Sequence, residues 1–331
     1  MKYRYGIGVM SKNIVDECIN YANNFNVNIA FIPSRRQVDN DGGYVNNWTT
    51  ETFSYYVKSK TSNIILKRDH GGPHQGKYVD DGTISLYNDC IYFDSIHIDP
   101  WKIANNFYEG CVLTKDLIKF CHNKNKNIWF EIGTEQSIFH YESDQLHDLI
   151  SYLKNNLSSD EYEQIKYGVI QSGTSLKENK NTGSYNNQRL VDMVSICKKF
   201  GLLSKEHNGD YLPLQLIEEK FYYGLDAINI APEFGQIETK TYLDEVRYSS
   251  LFETFFDICY SSKKWEKWVD KSFNPFINKE RLINICGHYV LSTDRFVNEI
   301  KNKVRYDIDN LIRENIRNKL NELYKTKNDI L

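Results

Sequence analysis

The sequence predicts an α/β fold, a (β/α)8 TIM barrel with a C-terminal helical extension, on three observations. Eight short apolar runs alternate with amphipathic stretches, the rhythm of parallel strands joined by helical crossovers. The runs are rich in Ile, Val and Phe, as strands buried on both faces are. Polar residues gather just after every run from the second onward, where a barrel carries its active site. An open dinucleotide-binding sheet fits less well, because the first run holds only Gly6-Ile7-Gly8 and no Gly-x-Gly-x-x-Gly turn follows it.

In order, the predicted strands are residues 5–10, 28–32, 63–66, 95–98, 127–132, 167–171, a weak one at 202–206, and 227–230. Helical patterns lie between them at 14–23, 50–59, 114–122, 143–157 and 187–200. The rhythm stops near residue 239. We therefore expect a barrel core over 1–240 and a helical extension over 241–331, with helical segments at 251–267 and 278–324. Residues 310–324 are apolar at helical spacing and suit a cap on the barrel or a subunit contact.

The length of 331 residues suits one barrel with additions. A formal net charge of −3 leaves no general basic field to hold nucleic acid or an anionic membrane. An anionic substrate must be held by local groups. No apolar stretch approaches the ~18 residues of a membrane span, and the opening MKYRYGIGVM lacks the apolar run of a signal peptide. The seven cysteines are scattered with no CxxC pair, the usage of reduced thiols in a cytoplasmic protein.

The second run leads into Arg35, Arg36 and Gln37 and then Gly42-Gly43. Forked guanidinium donors there suit a phosphate or carboxylate, and a solvated Gly-Gly loop is the plainer alternative. The third run ends in Asp69-His70-Gly71-Gly72-Pro73. An acid beside a histidine at a strand end suits a proton carrier next to a metal ligand. His74 follows, but the Gly-Gly-Pro between breaks any helix that would bring the two imidazoles to one face. In the fourth, His97 and Asp99 alternate onto one face, followed by Trp101 and Lys102. Polar groups facing into a barrel cost free energy unless partnered, so these are either a site or a satisfied buried pair. The later loops offer Glu131 and Glu135; Gln171, Ser172 and Thr174; Glu206, His207, Asn208, Asp210 and Tyr211; then Asn229, Pro232 and Glu233. Singly, each of these is more economically a solvated loop. Together, His70, His207 and one glutamate would make an open three-ligand site for a divalent ion such as zinc.

These segments resemble a known family. The stretch VDNDGGYVNNWTTETF, the RDHGGPHQG, SIHIDPW, EIGTE and EHNGDY segments, and KKWEKWV and YVLSTDRF near the end are similar, in the same order, to motifs of the accessory (Z) subunits of tagatose-bisphosphate aldolases. The resemblance runs along nearly the whole chain. It implies a class II aldolase-like barrel and ketose-phosphate chemistry. It implies Asp69 as acid/base and His70 and His207 as metal ligands. Glu135 matches the accessory family's acidic loop and Glu131 that of the catalytic aldolases. Asp210, which falls in the Asn-Gly-Asp that replaces a phosphate-binding Gly-Ser-Gly, joins Asp69 and Glu135 as a candidate catalytic carboxylate. The expected substrate contacts are Arg35, Arg36, Gln37, Asp99, Lys102, Gln171, Ser172, Asn208, Asn229 and Glu233. The catalytic aldolases carry a zinc-binding histidine where this chain has Ser172. Two readings follow. One is a metal-dependent aldolase or C4-epimerase on a ketose or its phosphate. The other is a non-catalytic partner stabilising a separate class II aldolase. A homo-oligomer is expected in either case.

Overall fold

The computed structural model describes residues 2–325, so the last six positions of the expected extension lie outside the described residues. Eight parallel strands close into a barrel: β1 (Tyr5–Ile7), β2 (Ile29–Phe31), β3 (Ile64–Gly71), β4 (Ser95–Ile98), β5 (Trp129–Ile132), β6 (Ile165–Ile170), β7 (Leu203–Glu206) and β8 (Ala227–Ile230). Each strand pairs with its sequence neighbours, and β8 returns to β1. The predicted (β/α)8 architecture is the observed one.

Helices α1 (Lys12–Phe25), α2 (Thr50–Lys58), α3 (Thr83–Tyr92), α4 (Phe107–Lys124), α5 (Ser143–Asn156), α6 (Asn187–Lys199), α7 (Leu214–Tyr222) and α8 (Pro232–Val246) follow the strands. The sequence pattern had not marked α3 or α7. Only Ser85, Leu86, Asp89 and Cys90 of α3 and Ile217 and Lys220 of α7 are buried, which leaves too few inward apolar positions for a periodic signal. The α8 helix runs through residue 240 without a break.

The most consequential difference concerns β3. It continues past the apolar run through Lys67, Arg68, Asp69 and His70. These are charged residues inside a strand, and each has a buried reason. Arg68 points outward and holds Asp89 of α3 through two 2.8 Å hydrogen bonds. Lys67 points into the barrel.

Past α8 the chain forms α9 (Leu251–Ser261), α10 (Lys279–Cys286), α11 (Asp294–Glu299) and α12 (Ile308–Lys325). The α12 helix packs on α1 and α8, with Ile312, Ile316 and Leu320 fully buried. The expected helix over 251–267 stops at Ser261, and a 3-10 turn at Glu266–Trp268 follows. That break lets Lys267 and Trp268 reach the mouth of the barrel. No helix among the described residues is long and apolar enough to cross a membrane.

Candidate metal centre and substrate cavity

The barrel interior is polar in two layers. The lower layer is a closed ion-pair cluster. Glu131 of β5 accepts from Lys67 of β3 at 2.7 Å and from Lys205 of β7 at 2.9 Å. Lys67 also donates to the Tyr3 hydroxyl at 2.8 Å. Burial raises the Glu131 carboxyl, but Lys205 and Lys67 outweigh it and hold it well below the usual carboxylate range. Burial carries Lys67 down to about 8.

Directly above lie Asp69, His70, His97 and His207, which can each turn one ligand atom to within 4.8 Å of the others. The three imidazoles form a near-equilateral triangle, with centroids 4.8, 5.0 and 5.0 Å apart. Adjacent residues of a regular strand face opposite ways, so Asp69 and His70 require an irregularity to share a centre. The register of β3 against β4 shifts between Arg68 and Gly71, and His70 sits at φ 49°. A left-handed backbone is uncommon for a residue with a side chain, and such strain gathers at functional sites.

Each imidazole is fixed from behind. His70 Nδ1 donates to Asp99 at 2.5 Å. His207 Nε2 donates to Glu131 at 2.8 Å. His97 Nε2 donates at 2.7 Å to the carbonyl of Gly133, where φ is 103° and only glycine is unstrained. A carboxylate or carbonyl can only accept, so the rear nitrogen carries the proton and the front nitrogen has a lone pair to offer. His97 Nδ1 shows this directly by accepting the His70 backbone N–H at 3.3 Å. Histidine ligands of metals are held in this way, by an acceptor that sets the tautomer and ring orientation.

The electrostatics match. Burial lowers His97 to about 4, keeping it neutral. Burial also lowers His70, but Asp69 and Asp99 overcome it and raise the group to about 10. Burial raises Asp69, and His70, His207 and Lys205 then bring it below its ordinary value. At neutral pH the raised His70 holds a proton on its front nitrogen as well, one that a bound metal would displace. These donors fit a divalent ion: three imidazoles are a zinc-type set that leaves a position open, with the Asp69 carboxylate beside it.

The centre opens into a cavity of about 390 Å³ lined by Asp69, His70 and His207, and by Arg36, Gln37, Lys102, Glu135, Asn208, Asp210 and Asn229. Asn229 Nδ2 lies 3.4 Å from Asp69. Lys267, Trp268 and Tyr289 of the C-terminal region close its rim.

Other expected site residues are engaged elsewhere. Glu131 is fully buried behind His207, its oxygens held by two lysines and that imidazole. Asp99 is fully buried and supports His70, Thr134 and the Trp101 backbone. Arg35 is neutralised by Asp39 and Asp80 and donates to the Gly72 carbonyl. Gln171 donates to the Thr134 and Phe139 carbonyls. Ser172 is sealed into a network with Glu206 and Lys220. Glu233 accepts from the Tyr211 backbone at 2.8 Å and pairs with Lys319. His97 is the third imidazole that the sequence had left undecided, and alternation with Asp99 was its signal. Lys267 carried none, because its place depends on where α9 ends.

No family model and no curated protein sequence matches this chain. Solved structures do. A probable tagatose 6 phosphate kinase from Sinorhizobium meliloti 1021 superposes with a TM-score of 0.76 at 13% identity, over 98% of this chain and 100% of that one. The YdjI aldolase from Escherichia coli K12 gives 0.55 at 15% identity, over 90% and 91%. A fructose-bisphosphate aldolase from Campylobacter jejuni gives 0.54 at 12% identity, over 91% and 90%. At such identities the likeness is one of fold, a closed eight-stranded parallel barrel.

Proposed function

We propose that this chain is a metal-dependent, aldolase-like enzyme that breaks and re-forms a carbon–carbon bond in a ketose or ketose phosphate. Net cleavage, condensation and C4 epimerisation are all products of that one chemistry. The observation that carries the proposal is the triangle of His70, His97 and His207, each tied from behind to an acceptor and each facing Asp69. The motif resemblance to tagatose-bisphosphate aldolase accessory subunits, and two barrels of this shape that are named aldolases, support the same substrate class by analogy.

His70, His97 and His207 would hold the ion, zinc being the best match to the donors. A divalent ion bound there supplies Lewis acidity to a substrate carbonyl and stabilises charge that develops on its oxygen. Asp69 stands at the same centre as proton carrier, oriented by Asn229. Glu135, half-buried in the cavity wall with Ser137 on one oxygen, is a further carboxylate within the cavity's reach. In the cleavage direction a carboxylate takes the proton of the C4 hydroxyl, C4 becomes a carbonyl and the C3–C4 bond breaks. Its electron pair passes to C3 and is delocalised onto the C2 carbonyl. Turning the released aldehyde before the bond re-forms inverts C4.

The reading of a non-catalytic partner draws on Ser172, which stands in a structural network instead of a ligand set. Elemental analysis of the purified chain, followed by a ketose-phosphate panel with added Zn²⁺ or Mn²⁺, separates the two. About one ion per chain with cleavage or epimerisation of any member supports the enzyme. A metal-free, inert chain that co-purifies with an aldolase supports the partner.

A further inference from the structure

Barrels of this kind commonly hold phosphate between the loops after the seventh and eighth strands, on backbone N–H groups at a helix N-terminus. In this chain those donors are already taken. Asp210, after β7, accepts the Ala231 N–H at 2.9 Å and the Glu233 N–H at 2.8 Å at the start of α8. Glu233 adds a second carboxylate, turned onto the Tyr211 N–H. The corner presents acceptor oxygens where a phosphate would need donors. Burial and the neighbouring Glu233 raise Asp210 to about 8, and the cation of this corner, Lys319, is paired with Glu233.

The rim of the same cavity is the reverse. Arg36 after β2, Lys102 after β4 and Lys267 of the C-terminal region line it. Among the described residues none of the three has a carboxylate within ion-pair distance, whereas the neighbouring Arg35 has two. Arg36 spends only Nε, on the Gly76 carbonyl at 3.3 Å. Lys267 is held over the rings of Trp268 and Tyr289, at 4.6 and 5.1 Å. Burial, then Arg36, Lys264 and Lys102, bring Lys267 down to about 8, so these cations face one another, and only Lys102 draws on carboxylates, those of Asp99 and Glu135.

We infer that the substrate carries its anionic group, a phosphate or a carboxylate, at the end held by Arg36, Lys102 and Lys267, and that the end lodged against Asp210 is an uncharged hydroxymethyl. The assignment rests on the carbon–carbon lyase reading for the orientation of the sugar. It makes the preferred ligand a ketose with one terminal anion, not a bisphosphate.

Calorimetric titration of the full, metal-reconstituted chain tests it with a ketohexose, its 1-phosphate, its 6-phosphate, its 1,6-bisphosphate and the ketose carrying a C6 carboxylate. One 6-anion should bind at least ~10-fold tighter than the free sugar, about what one well-made charge-assisted contact contributes. The 1-phosphate should gain nothing, and the bisphosphate should do no better than the 6-phosphate. Whether phosphate or carboxylate binds tighter names the anion. The variant Arg36→Met/Lys267→Met should lose the gain while keeping the wild-type unfolding midpoint and metal content. Preference for the 1-phosphate or bisphosphate, a gain that survives the double variant, or no ketose binding at all would overturn the inference. A 6-anion gain in protein that retains no metal would support it and count only against the metal centre.

Discussion

The two polar layers inside this barrel are built from similar residues and behave differently. In the lower one, Lys67, Lys205 and Glu131 satisfy each other completely and leave no lone pair facing open space. In the upper one, His70 and His207 are each tied to a carboxylate on one nitrogen, with the other turned toward Asp69 and the cavity, while His97 behind them also accepts the His70 N–H. A closed charge cluster in a core is a structural solution to burial. A half-closed one leaves ring nitrogens and a carboxylate turned toward a cavity. Glu131 joins the layers, since it anchors both lysines and orients His207.

Substitutions can break that distinction. His97→Ala should have the largest effect. Removing a ligand should cost more than the ~100-fold in metal affinity typical of removing an outer partner, so the ion should not survive gel filtration in chelator. Retention of one ion per chain would put the site elsewhere. Glu131→Gln should show the opposite signature first. It leaves Lys67 and Lys205 buried without a counter-charge, a loss of about 3–5 kcal/mol in unfolding free energy, measurable by denaturant titration. If Glu131→Gln is as stable as wild type, the lower layer is not the closed cluster described. Asp99→Asn is milder. It keeps an acceptor for Thr134 but weakens the support of His70, so metal affinity should fall about 10- to 100-fold with stability nearly unchanged. Competition with a chromophoric chelator reads it.

Much of this was legible in the sequence, and the failures have physical reasons. The barrel was readable because Ile-, Val- and Phe-rich strands punctuated by polar loops repeat eight times. Asp69, His70 and His207 were readable because charged residues at strand ends have few structural explanations. Lys67 and Arg68 looked like loop because a strand carrying two charges breaks the apolar pattern, and their partners Glu131 and Asp89 are 64 and 21 residues away. The rearward roles of Glu131 and Asp99 were not legible either. A residue that holds a ligand and one that is a ligand have the same chemistry, and only distance separates them. Lys267 needed the end of α9, which is set by packing of the C-terminal helices.

The last effect concerns a third polar region, the corner at Asp210, where the one cation, Lys319, is paired with Glu233 and not with Asp210. Its carboxyl is raised from 3.8 to about 8 by burial and then by Glu233. A raised acid binds its proton more tightly in the folded chain than in the unfolded one. Its contribution to stability is therefore full below pH 3.8 and is lost as pH rises through about 8. Asp210→Asn keeps an oxygen for the Ala231 and Glu233 N–H groups and removes the titration. The wild type should lose stability relative to this variant as pH rises from 5 to 8.5, in denaturant unfolding followed at several pH values. Parallel curves would mean that Asp210 stays ionised throughout, with its charge stabilised by the helix N-terminus alone. That corner would then resemble the lower layer of the barrel, a satisfied charge, and not a neutral wall against which an uncharged end of a sugar can rest.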